Sequence, residues 1–150
     1  MNWYLFWRLV HFSGIVVFVA GHGVSAAVTL AMPKERDPLR LETLLALSRA
    51  TIGWSNVGLL VLVLGGAANW IRLDYPKQGW LWTAVAVLAV LAAAGVGVAA
   101  PYVRRVRAAL ADEDRDRLAS LQASRLPLEV FWFETLGTAV ILWLMVYKPF

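Results

Sequence analysis

The chain contains no cysteine, and only 16% of its 150 residues are charged. Without thiols there is no disulfide, no thiolate metal site and no iron–sulfur cluster, so cysteine usage says nothing about the redox compartment. Histidine is almost as scarce. The two that occur, His11 and His22, both lie in the first apolar run, so two helices of one chain cannot each contribute an imidazole to the same metal. No nucleophile paired with a base, no phosphate-binding loop and no zinc-ligand spacing is present.

What fills the space is apolar. Hydrophobic residues make up 60% of the chain and the mean hydropathy is +0.64, above the apolar share of ordinary soluble domains. About 20 apolar residues are needed to cross a hydrocarbon core of about 30 Å. The runs 9–32, 50–71 and 79–103 qualify, each free of Asp, Glu, Lys and Arg. The first run is too long for the apolar part of a signal peptide, lacks a basic n-region with a cleavage site, and is expected to remain in the mature protein. A fourth span needs Glu134 inside it, since the 13 residues between Glu134 and Lys148 make only roughly 20 Å of helix. A start at Leu126 or Pro127 gives full length, with Glu129 at the interface and Glu134 within one leaflet.

The sequence therefore predicts an all-α fold: an integral membrane four-helix bundle over residues 1–150, one domain, with a short cytoplasmic interfacial helix. That helix is expected after Asp37, an N-cap followed by Pro38 at the first helical position, with Leu39, Leu41, Leu44, Leu45 and Leu47 on its apolar face. After the third span the chain is expected to run on into water, turn near Asp112 and form a charged helix with Leu118 and Leu121 on one face. Connections 33–49 and 104–125 carry ten of the 14 Lys and Arg residues. The positive-inside rule then places both in the cytoplasm and both termini outside, in a bacterial-type inner membrane. Trp3, Tyr4, Trp7, Trp70, Tyr75, Trp80, Trp82 and Tyr147 fall at the expected outer interface. The pI of 9.9 follows from this topology and from attraction to anionic lipid, not from nucleic-acid binding. Ser55, Asn56 and Asn69 are expected to form hydrogen bonds between helices, and the many glycines of the spans to allow close helix contact.

His11 and His22 are 11 residues apart, just over three helical turns, so they share one face about 16 Å apart along the axis. Imidazole is the usual axial ligand of b-type heme, and Gly14, Gly21 and Gly23 leave room beside it. His11 is the expected ligand of the heme iron and His22 marks a second site; the alternative is that each is a neutral polar side chain bonded to a backbone carbonyl or to another helix. Met145 is the internal candidate for the sixth ligand; a second protomer's histidine or an open position are the alternatives. Glu134 is expected at a depth similar to His22, as a partner that orients the imidazole, as part of a proton path, or as a protonated or snorkelling carboxyl near the headgroups with Arg125 and Glu129. Copper binding through His11, His22, Met32 and Met145 is disfavoured because these side chains are dispersed along the membrane normal.

The run LVHFSGIVVFVAGHG resembles the first helix of HemJ-type protoporphyrinogen oxidases, and LDYPKQGWLWTAVAV resembles the Gly-Trp-Leu start of their third span. CopD-like four-helix membrane proteins share the general layout. The resemblance implies that His11 matches the heme-ligating histidine. The lysine those oxidases carry after Gly-Trp-Leu falls at Ala84 here, which counts against their activity. Phe133-Glu134-Thr135 only echoes their Asn-Glu-x-Pro stretch. Two functions follow as expectations: a heme-binding protein in electron transfer or a heme-linked redox step, or a cofactor-free accessory or assembly subunit of a larger respiratory or photosynthetic membrane complex. The bilayer is the expected partner in both, with a homo-oligomer or a larger complex.

Overall fold

A computed structural model describes residues 2–73 and 78–149, leaving aside the side chains of Arg72 and Leu73. Tyr75, expected at the outer interface, lies outside the described residues, as do Asp74, Pro76 and Lys77. The fold is all-α, with no strand among the described residues. Helix α1 spans Trp3–Ala31, α2 Pro38–Leu73, α3 Gly79–Ala94, α4 Ala100–Ala111, α5 Arg115–Gln122 and α6 Leu126–Tyr147. Four stretches are long and apolar enough to cross a membrane: Trp3–Lys34, Pro38–Ile71, Gly79–Ala111 and Arg115–Tyr147.

Local chemistry explains most of the boundaries. Pro33 sits in a 3-10 turn, Met32–Lys34, that closes the first span. Asp37 accepts from the Leu39 amide at 3.0 Å, as an N-cap should. The helix it starts differs from the expectation, because the surface segment continues without a break into the second span. Between Leu39 and Ala50 there is no glycine or proline, and Leu, Ala, Glu and Arg are strong helix formers, so nothing in the chain ends the helix there. At the other connection the turn comes where expected, with Glu113 in the left-handed region at φ 53°. Asp114 then caps α5 by accepting from the Arg117 amide at 2.9 Å. Pro127 stands in the first turn of α6, where its missing N–H costs nothing.

The chain forms two compact units. The first comprises Met1–Ala27 and Ala46–Lys77. Here α1 and α2 run antiparallel, because as the residue number rises on one helix it falls on its neighbour: His11 meets Gly65, Gly14 meets Leu62, Phe18 meets Gly58 and Gly21 meets Ser55. In lipid no hydrophobic force drives two helices together, so contact depends on packing and on hydrogen bonds. Glycine supplies the packing. A Cβ on Gly65 would stand 2.6 Å from the His11 backbone nitrogen, and Cβ atoms on Gly14 and Gly58 would run into the backbones of Leu62 and Phe18. Two hydroxyl bonds complete the seam: Ser55 Oγ donates to the Phe18 carbonyl at 3.3 Å, and Ser25 and Ser48 hydroxyls lie 3.1 Å apart.

The second unit comprises Val28–Leu45 and Gln78–Phe150. Its core is Val28, Met32, Leu41, Leu45, Tyr102 and Val106. Polar side chains lock this core at backbone carbonyls. Tyr102 Oη donates to Leu121 O at 3.0 Å, Arg107 to Leu45 O at 2.8 Å, and Gln122 Nε2 to Met32 O and Glu35 O at 2.9 and 2.8 Å. The two long connections therefore meet each other at one end. Elsewhere in this unit α3 packs on α6, where Gly137 leaves room for Leu91. A π-turn, Gly95–Ala99, joins α3 to α4. It precedes Pro101, which cannot donate to the Gly97 carbonyl and whose ring would press on it, so the chain shifts to the wider i→i−5 bond from Ala100 to Gly95.

Candidate functional site

The first histidine is positioned by the glycine seam. His11 is half-buried, with its backbone against Gly65 and its ring against Gly66. Its Nδ1 lies 2.7 Å from the carbonyl oxygen of Leu62. A carbonyl can only accept, so Nδ1 carries the proton. In the neutral ring Nε2 then holds the lone pair.

Why this carbonyl is reachable follows from helix geometry. A helical carbonyl points toward the residue four positions on, and that residue's side chain normally covers it. For Leu62 that residue is Gly66. A Cβ there would lie 3.2 Å from His11 Nδ1 and 3.3 Å from Cε1, tighter than ordinary contact. The adjacent pair Gly65–Gly66 thus does two jobs: the first admits the backbone of α1, and the second uncovers an acceptor for the imidazole. No hydrogen-bond partner for Nε2 is found among the described residues.

The second histidine is placed differently. The His22 ring stacks on Phe18, with centroids 5.4 Å apart and planes 15° from parallel. Gly21 beside it packs on Thr51 and Ser55. His11 and His22 belong to the first unit, whereas Glu134 and Met145 lie on α6 in the second. Glu134 is half-buried, and its Oε1 would be 3.7 Å from a Cβ on Gly95, so the carboxyl stands over the first residue of the π-turn. Met145 is half-buried, and Met32 is 1% exposed within the core of the second unit, where it serves packing. No group of three His, Cys, Asp or Glu side chains that could hold a metal ion occurs among the described residues.

Several polar residues depart from expectation. Asn56 is exposed and bridges nothing among the described residues. Asn69 donates to Gly65 O of its own helix at 3.1 Å, leaving Oδ1 buried with no partner among the described residues. Trp80, in the first turn of α3, is buried. Its Nε1 donates to Gln78 Oε1, and the Lys148 ammonium stands 5.6 Å from its ring centroid, a cation–π arrangement.

Sequence reasoning counted Gly66 only among the glycines that allow close helix contact, and passed over Gln122 and the π-turn. Gln122 carried a signal in its spacing, since a lone amide one turn beyond Leu118 shares the face that enters the core. Ala84 is 1% exposed, so a long charged side chain has no space there. No family model, curated protein or solved structure matches the chain.

Proposed function

We propose that this chain is a multi-pass membrane protein that holds a b-type heme through Nε2 of His11 and serves electron transfer or a heme-linked redox step. The observation that carries this reading is the 2.7 Å contact between His11 Nδ1 and Leu62 O. Metal-ligating histidines almost always donate their other ring N–H to a carbonyl or carboxylate, which fixes the tautomer and the ring orientation. His11 has that arrangement in an otherwise apolar segment. Bound there, heme would supply one-electron chemistry. The chain's own residues would fix the imidazole and exclude water with the aliphatic faces of α1 and α2.

Protoporphyrinogen oxidase activity of the HemJ type is not part of the proposal, because Ala84 stands where that resemblance needs a lysine. Both long connections are assigned to the cytoplasm and both termini to the outside. Support comes from the ten basic residues in those connections and from the Gln122 bonds that bring the connections together.

Titration of purified protein with hemin tests the reading. A Soret band that saturates at a fixed heme-to-chain ratio is expected. No band, with helix content intact by circular dichroism, would remove the heme and favour a cofactor-free subunit of a larger complex.

A further inference from the structure

Beside the Gln122 bonds, in the second unit, lies a cleft of about 380 Å³. Pro38, Leu118 and Ala119 give it an apolar wall, and Arg36 and Arg115 line it from the first connection and from α5. Both arginines are exposed, and neither makes an ion pair among the described residues. Glu35 also lines the cleft, but its Oε1 accepts the backbone N–H groups of Arg36 and Asp37, both at 2.9 Å. Its carboxylate is thereby turned to its own chain. Gln122 has spent both amide hydrogens on Met32 O and Glu35 O, which fixes the floor in place.

We infer that this cleft binds the headgroup of an anionic phospholipid. Two guanidiniums beside one cleft suit a phosphodiester, since each offers a planar fork of donors that matches phosphate oxygens. The apolar wall suits what a phospholipid adds to phosphate, namely a glycerol backbone and the first methylenes of its chains. A free inorganic phosphate would use the arginines and leave Pro38 and Leu118 uncovered. The cleft lies at the end of the unit where the two basic connections meet, and basic pockets at that level of a membrane protein are where acidic headgroups collect. This inference is independent of heme.

Native mass spectrometry of the full chain in mild detergent tests it, with phosphatidylglycerol, phosphatidylcholine or inorganic phosphate added. Wild type is expected to retain phosphatidylglycerol in preference to phosphatidylcholine. R36Q/R115Q is expected to lower that retention by at least about tenfold, while R104Q/R105Q, which removes two exposed arginines outside the cleft lining, leaves it unchanged. Equal retention by wild type and R36Q/R115Q would overturn the site. So would equal losses in both double variants, which would mean diffuse charge attraction, or equal retention of phosphatidylcholine. Displacement of the lipid by millimolar inorganic phosphate would make it a simple anion site. All four arginines are exposed, and matching circular dichroism melts are expected to confirm that the variants fold.

Discussion

His11 Nδ1 reaches the carbonyl oxygen of Leu62 across the α1–α2 seam at 2.7 Å, and it does so over the bare Cα of Gly66. A hydrogen bond between membrane helices contributes about 0.6 kcal/mol on average and about 1.7 at most. That is too little to make this bond essential for folding. Its consequence is chemical: it fixes which ring nitrogen keeps the lone pair.

Gly66→Val should therefore disturb the tautomer before it disturbs the fold. In histidine-labelled protein without heme, 15N NMR is expected to show His11 protonated at Nδ1 in wild type and a mixture of tautomers in the variant. Gly53→Val, at a position with open space around it, should leave the spectrum as it is. An unchanged His11 signal in Gly66→Val would contradict the role given to Gly66.

The glycine seam makes a second, sharper contrast. A methyl on Gly58 meets Phe18 and Val17 backbone atoms, whereas one on Gly23 meets nothing within 4 Å. Gly58→Ala should cost about 1–3 kcal/mol, the usual range for overpacking against atoms that cannot yield. Gly23→Ala should be neutral or slightly stabilising, as expected for alanine in a helix. Thermal unfolding in mild detergent measures both; coinciding midpoints would mean that the helices are not held this close.

The connections offer a third test. Gln122→Leu keeps the volume in the core but leaves Met32 O and Glu35 O without their donor, at about 1–3 kcal/mol for a buried group stranded in this way. Trypsin should then cut faster at Lys34 and Arg36. Unchanged cleavage would show that the amide does not tie the connections together.

Tyr102→Phe removes only the bond to Leu121 O. A loss of about 1 kcal/mol is expected, with faster hydrogen exchange of the α5 amides. Exchange confined to its wild-type rate would contradict the view that this hydroxyl anchors α5.

How much of this could be read from the sequence depended on the range of the interaction. The spans, the start at Pro38, the turn at Asp112 and the start of α6 at Leu126 were legible, because charge-free length, proline and aspartate act within a few residues. The continuity of α2 was legible only as an absence of helix breakers, and the leucines of its surface segment drew attention away from it. Asn56 and Asn69 went astray because composition gives a residue's depth along a helix but not its rotation. At His11 the residue type and its setting were evident, yet the acceptor at Leu62 depends on the antiparallel register of two helices. Gln122 lies 90 residues from Met32, and no local pattern joins them.

The most direct test of the central claim is the absorption spectrum of heme-loaded wild type beside His11→Ala and His22→Ala. Loss of one interhelical hydrogen bond costs too little to unfold the His11 variant, so its spectrum reports ligation. The expected result is a Soret band that falls to a small fraction in His11→Ala and is largely kept in His22→Ala. Equal bands in all three proteins would contradict ligation by His11.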